Sequence, residues 1–356
     1  MRRHQRRTDA CPDGVWHSAR SRERLAVGPV RRPALLWHPC CWPPDRDGAL
    51  EGEPGGAILP GPVIETDGSI VAATNAGVLH DLDPATGAER WHFDGGGHYG
   101  GDLSTSPAIL ADGTILWPGP GDTLFAVDPH GQLLWKQHFG GFVLSPAVAG
   151  DNRVYVADMS GHLAALKVTN GSHRTLWSIA LGGTDYGSPG VGPDGTIYTA
   201  TPLALVAVSD HGSSASVRWR FPVKKMIEVS SAVTPDGIVV LGTNNAGEHG
   251  VKPDGTAWFA DNSGRVRAID TRTGKLISTI QPIAPAREHA WTSVAVDARD
   301  DTYWGTQKGH LDGYDRDGKQ LFSLDTDSGV ASYPAIGADG TLYAGTLDGT
   351  LYAVGG

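Results

Sequence analysis

From about residue 58 onward the chain is filled with short alternating runs of apolar and polar residues rather than long amphipathic stretches. The unit is clearest from Ser106-Pro107-Ala108-Ile109-Leu110-Ala111-Asp112-Gly113-Thr114 through Leu133-Leu134-Trp135. Four strand-length runs lie in it, separated at Asp112-Gly113, between Gly119 and Asp122, and between Asp128 and Gly131. Period-two alternation bounded by Gly, Pro and Asp predicts strands, and each run is too short for a stable helix. The same frame returns from Ser145-Pro146-Ala147 to Trp177 and from Ser188-Pro189-Gly190 to Trp219.

Leading positions at Pro62, Pro107, Pro146, Pro189, Ala232, Val294 and Pro334 define seven units, at intervals of 45, 39, 43, 43, 62 and 40 residues. A period near 40 with four strands per unit is the pattern of a propeller blade. The expected fold is therefore all-β: a seven-bladed β-propeller of four-stranded antiparallel blades. An Asp-Gly-type pair follows each first strand, at Asp67-Gly68, Asp112-Gly113, Asp151-Asn152, Asp194-Gly195, Asp236-Gly237, Asp300-Asp301 and Asp339-Gly340. Such pairs predict tight hairpins in which both central residues take positive φ. Third strands carry a small residue at a fixed place: Ala126, Ala165, Ala207, Ala268, Gly313 and Ala353. Fourth strands carry a large ring, Trp91, Trp135, Trp177, Trp219 or Phe322, with Ser278 as the exception. A ring that fills the gap left by a small residue on the neighbouring blade is core, not ligand. Asp81 takes the small-residue place in the first unit, so that junction is expected to pack differently.

The seventh unit ends at Leu351-Tyr352-Ala353-Val354-Gly355-Gly356, where its outer strand is due. Ala34-Leu35-Leu36-Trp37 resembles Gln132-Leu133-Leu134-Trp135, and is expected to close the ring with Trp37 in the docking position. A segment near Ala57-Ile58-Leu59 is the alternative. The domain plan is a basic, disordered tail over 1–33, the closing strand and connector over 34–57, and the propeller over 58–356. The long fifth interval predicts an insertion near 243–258, either a surface elaboration or a docking arm.

Composition supports an all-β chain rich in turns: 49 Gly and 24 Pro among 356 residues, with 11 Trp for the core. The net charge of −10 conceals nine Arg in residues 1–33, which give +6 there and leave −16 for the rest. An acidic body excludes a nucleic-acid surface. The 3 Cys cannot build a disulfide framework. Residues 8–24 hold no apolar run fit for a signal peptide, and no stretch approaches a transmembrane helix.

The pattern Ala126-Val127-Asp128…Gly131…Leu134-Trp135, repeated as Asp83-Pro84-Ala85-Thr86-Gly87…Trp91, resembles the tryptophan-docking repeat of the pyrroloquinoline-quinone (PQQ)-like propellers. The resemblance covers residues 58–356. That superfamily includes quinoprotein alcohol dehydrogenases and the BamB-type outer-membrane assembly lipoproteins. In the dehydrogenases it implies PQQ over a Trp, Ca²⁺ held by acidic and amide oxygens, an Asp base, and an adjacent-Cys disulfide. Here the adjacent pair Cys40-Cys41 precedes the first repeat, and the large insertions of those enzymes are missing. The resemblance therefore implies a monomeric, non-enzymatic binding or scaffolding module of the cell envelope, with no cofactor. A PQQ- and calcium-dependent, or metal-dependent, oxidoreductase is the rival expectation.

In a propeller, the loops that lead into the innermost strands gather with the second-to-third-strand turns around the mouth of the channel. Converging polar and aromatic groups in a concavity are the default binding hypothesis. The candidates for a protein or small-molecule ligand are Tyr99, Asp102, Tyr186, Lys225, Glu228, His289, Trp291 and Tyr333. No catalytic or metal-ligating residue is predicted: Asp325-Thr326-Asp327-Ser328-Gly329 lacks the distal Glu of a calcium loop, and no nucleophile elbow or phosphate loop occurs.

Overall fold

The repeat resolves into sheets. The computed structural model describes residues 56–98, 105–169, 171–182, 187–202, 204–222, 301–315 and 319–354, isolated positions from 292 to 299, and the backbone of the strands at 35–37 and between 232 and 280. Among these residues seven four-stranded antiparallel sheets and one two-stranded sheet succeed one another along the chain. The first sheet is Val63–Ile64, Ile70–Ala73, Val78–Leu82 and Glu89–Asp94. The second is Ala108–Ile109, Ile115–Gly119, Thr123–Val127 and Leu133–His138. The third is Ala147–Ala149, Arg153–Asp158, His162–Thr169 and Ser172–Ala180. The fourth is Gly187–Val191, Ile197–Thr201, Ala204–Asp210 and Ala215–Pro222.

Burial follows from stacking sheet on sheet. Second and third strands are covered on both faces, so Ile70–Ala73, Ile115–Gly119 and Thr123–Val127 are buried at every position. Outer strands alternate, as Glu89–Asp94 does. Val71, Ala73 and Leu79 pack on Ile115, Trp117, Phe125 and Val127 of the next sheet. Leu116, Leu124 and Ala126 in turn pack on Val154, Val156, Leu166 and Val168. Each such side chain contributes about 1.5–3 kcal/mol by leaving water.

The hairpins differ in detail from the expected turn. At Glu65-Thr66-Asp67-Gly68 the Gly68 amide donates to Glu65 O at 3.0 Å, and Glu65 N donates to Ser69 O at 2.9 Å. Gly68 has φ of 89°, whereas positive φ at non-glycine residues is confined, among the described residues, to Asp122, Asp151 and Asn152. The Asp keeps negative φ and instead accepts the amide two residues on, at 2.9 Å for Asp67 Oδ1 and 3.0 Å for Asp112 Oδ1. This is a type I turn followed by a left-handed Gly, with the Asp acting as an Asx cap. Among the described turns between first and second strands, Asp151-Asn152 has both residues left-handed.

The small and large residues meet within one sheet rather than between sheets. Ala126 lies directly opposite Trp135, Ala165 opposite Trp177, Ala207 opposite Trp219 and Gly313 opposite Phe322. A register shift follows each pair, and a bulge of this kind bends and twists the strand. The rings then reach the third-to-fourth-strand turn of the following sheet. Trp91 Nε1 donates to Pro129 O at 3.0 Å, Trp177 Nε1 donates to Asp210 Oδ1 at 3.0 Å, and Trp135 stacks on His173 with centroids 3.8 Å apart. Gly131 is required at such a turn: a Cβ there meets the Trp91 ring at 2.7 Å.

Two further features depart from expectation. The strand Leu35–Trp37 does complete the last sheet, pairing with Leu351–Val354, but Leu35 stands opposite Ala353 and Trp37 opposite Leu351. Trp37 is therefore two residues out of the docking register. Ile58, from the alternative closing segment, is fully buried at the junction of the last and first sheets, with Ile70, Leu82, Tyr343 and Leu351. The long fifth interval holds two sheets. Ala232–Val233 pairs with Val239–Val240 as a two-stranded sheet. His249–Val251 and Thr256–Ala260, within and beside the expected insertion, are the first two strands of a sheet completed by Val266–Asp270 and Lys275–Ile280. Trp219 is 41% exposed, against 7% for Trp177.

Candidate functional site

The innermost strands set up the axis of the molecule. Five of the seven units lead with an X-Pro pair: Gly61-Pro62, Ser106-Pro107, Ser145-Pro146, Ser188-Pro189 and Tyr333-Pro334. Proline removes an amide that has no ladder partner on the inner edge of the sheet, and it holds the preceding residue extended. The preceding residues then bond around the ring. Gly61 N donates to Ser106 Oγ at 3.0 Å, Ser106 N to Ser145 Oγ at 2.8 Å, and Ser145 N to Ser188 Oγ at 3.1 Å. Strand alternation does not reveal this circumferential chain, although the Ser-Pro repeat carries its signal.

Tyr333 occupies the equivalent place in the last sheet and is half-buried. A Cβ on Gly61 would stand 3.1 Å from Tyr333 Cβ, 3.2 Å from its carbonyl oxygen and 3.2 Å from Ser106 Oγ. Gly61 thus lets Tyr333 pack where the ring closes, and a phenol replaces the small hydroxyl of the other sheets. Of the eight residues expected from sequence, Tyr333 is the one within the described structure. Tyr99, Asp102, Tyr186, Lys225, Glu228, His289 and Trp291 lie outside the described residues.

The second-to-third-strand turns beside this ring are capped by their own side chains. Thr346 Oγ1 donates to Thr350 O at 2.9 Å, and His310 N donates to Thr306 Oγ1 at 3.0 Å. Asp158, 2% exposed, accepts Ser160 N at 2.9 Å and His162 N at 3.3 Å through Oδ1, and Gly140 N at 3.3 Å through Oδ2. The leading loops are pinned onto these turns: Met159 N donates to Phe142 O at 2.9 Å and Leu347 N to Gly329 O at 2.9 Å. In the loop after the sixth unit, Thr326 Oγ1 donates to Ser328 O at 2.7 Å, and Asp327 N donates to the Tyr352 hydroxyl at 3.2 Å. Burial pushes the Tyr352 phenol up, so it stays neutral as an acceptor. His310 Nε2 lies 3.1 Å from the exposed Asp325 carboxylate. The described part of this face is thus a rigid rim, and its Asp and Thr side chains are occupied in holding turns.

Comparison with known proteins agrees with the geometry. The family model described as outer membrane protein assembly factor BamB matches residues 75–186 and 262–355, more than half of the chain. An outer membrane protein assembly factor BamB of Nitrosomonas eutropha is 30% identical over 112 residues, covering 32% of this chain and 26% of that protein. One from Burkholderia pseudomallei is 29% identical over 121 residues, covering 34% of this chain and 30% of that protein. The aligned stretches span less than a third of the length of these curated relatives.

Proposed function

The chain belongs to the family of outer membrane protein assembly factor BamB, and we propose on that premise that it is a non-enzymatic scaffold of the cell envelope that recognises a protein partner at its loop face. One observation carries this reading. Ser recurs before proline in the inner strands of the second, third and fourth sheets and bonds around the ring, and Tyr333 breaks that pattern in the last sheet. A large amphipathic side chain at a position where the other units differ suits recognition, because it offers apolar area at low entropic cost. The relatives' names point to assembly of outer membrane proteins as the setting. Among the described residues no helix is long and apolar enough to cross a membrane.

The cofactor question has a direct test. PQQ and Ca²⁺ are titrated against Trp fluorescence, followed by a dye-linked assay of alcohol and sugar oxidation. A scaffold is expected to show no saturable binding and no turnover; saturable binding with turnover overturns this reading in favour of a quinoprotein oxidoreductase.

A further inference from the structure

The junction between the first and second sheets departs from the repeat. Where other third strands carry Ala or Gly opposite the large ring, the first sheet carries Asp81, facing Val71 on one side and Trp91 on the other. Asp81 is 3% exposed, and its Oδ1 has no hydrogen-bond partner. Glu65 is in a similar state: Oε2 accepts Ser69 Oγ at 3.2 Å, while Oε1 is buried without a partner. Both line a cleft of about 470 Å³ shared with Asp67, Arg90, Trp91, Pro129 and His130. The cation already present is committed elsewhere. Arg90 holds Asp67 Oδ2 at 2.9 Å and Asp83 Oδ2 at 3.2 Å.

A buried acceptor left unmatched is costly, and a carboxylate more so. Burial pushes the Asp81 carboxyl up; burial and then the Asp81 charge push Glu65 up. Ser69 and the more distant Arg90 charge offset this only in part, and Asp81 Oδ1 and Glu65 Oε1 have no cation in hydrogen-bond contact. We propose that this cleft binds a primary alkylammonium group, with Asp81 Oδ1 and Glu65 Oε1 accepting its N–H bonds and Trp91 and Pro129 walling the methylene chain. Two acceptors from separate carboxylates suit a tetrahedral ammonium better than a planar guanidinium, which favours a bidentate partner. The Trp91 ring adds attraction for a cation and apolar area for its stem. Among the described residues no three His, Cys, Asp or Glu groups converge as a metal-ligand set, which favours the organic cation over a metal ion.

The cleft is built from the first-to-second-strand turn at 65–69 and the third-to-fourth-strand turn around Pro129. These turns lie at the strand ends remote from Tyr333, so the site stands apart from the loop-face reading and neither depends on the other. Binding requires Glu65 and Asp81 to be ionised while Asp67, Asp83, Arg90 and His130 surround them. Affinity therefore tightens as pH rises from the acid side.

The test uses the full chain with N-acetyl-lysine methylamide and cadaverine as probes, followed by calorimetry at low salt. Saturable binding is expected, weakened at least about ten-fold by Asp81→Ala and by Glu65→Gln. Asp81→Ala is also expected to melt at or above the wild-type temperature, since it restores the repeat's small residue. Binding of the lysine derivative alone assigns the site to a protein's lysine, and binding of cadaverine alone to a free amine. No saturable binding of either amine overturns the proposal. So do undiminished binding in both variants, saturation by Ca²⁺ with neither amine bound, or a melting temperature for Asp81→Ala well below wild type.

Discussion

Asp210 gathers four donors where the third sheet meets the fourth: Gly212 N at 2.7 Å, Tyr155 Oη at 2.8 Å, Trp177 Nε1 at 3.0 Å and Arg153 Nη1 at 2.5 Å. Burial alone raises its pKa, but the bonds from Gly212, Trp177, Tyr155 and Arg153 outweigh that and hold it below the ordinary carboxylate value. Burial, and then the Asp210 contact, push the Tyr155 phenol to about 12. Because the folded Asp210 binds its proton more weakly than the unfolded one, its stabilisation is complete above the unfolded value of about 3.9 and is lost as pH falls through the folded value. Asp210→Ala is expected to cost about 3–5 kcal/mol at pH 7, since it strands a partly buried Arg153. Denaturant unfolding should show that cost shrinking towards pH 3. Gly131 has φ of 79°, and the Trp91 ring lies 2.7 Å from where a methyl carbon would stand. Gly131→Ala should therefore cost about 1–3 kcal/mol by the same measurement. The docking Trp residues and their small partners were legible in sequence because they recur. Their geometry was not, since spacing alone does not say whether Ala126 faces Trp135 across a strand pair or across a sheet interface.

At the scale of elements, strands and their order followed from alternation and Asp-Gly spacing, and register did not. The closing strand was recognisable from its likeness to Gln132-Leu133-Leu134-Trp135, yet pairing places Leu35 rather than Trp37 opposite Ala353. A two-residue slip keeps the same faces and preserves the alternation, so the apolar pattern does not distinguish the two registers. The fifth interval was visibly long, but which part was surplus depended on pairing. The sequence near Pro253-Asp254-Gly255-Thr256 looks like an added hairpin, and the strands on either side of it, His249–Val251 and Thr256–Ala260, pair as the first two of a four-stranded sheet. The closing strand has a simple test. Removing residues 1–45 exposes the edge of Leu351–Val354 and should lower the melting temperature by several degrees, with increased aggregation on heating. An unchanged melting temperature and monodisperse behaviour would contradict a structural role for Leu35–Trp37.

For the whole molecule, the repeated architecture separates positions that recur from sheet to sheet from positions that vary. Ser106, Ser145 and Ser188 link neighbouring sheets at the axis, and Trp91 and Trp177 link them at the periphery. Tyr333 stands out because it differs between units; the remaining sequence candidates, outside the described residues, rest on that same logic. Recognition of a protein partner at the loop face is open to site-specific photo-crosslinking. A photoreactive residue replaces Tyr333 in the full chain expressed in its native cells, with a second one replacing the exposed Val148 on the third sheet as control. Discrete adducts with one or a few envelope proteins are expected from position 333 and none from position 148. No adduct at 333, or the same adducts from both positions, would contradict recognition at this face.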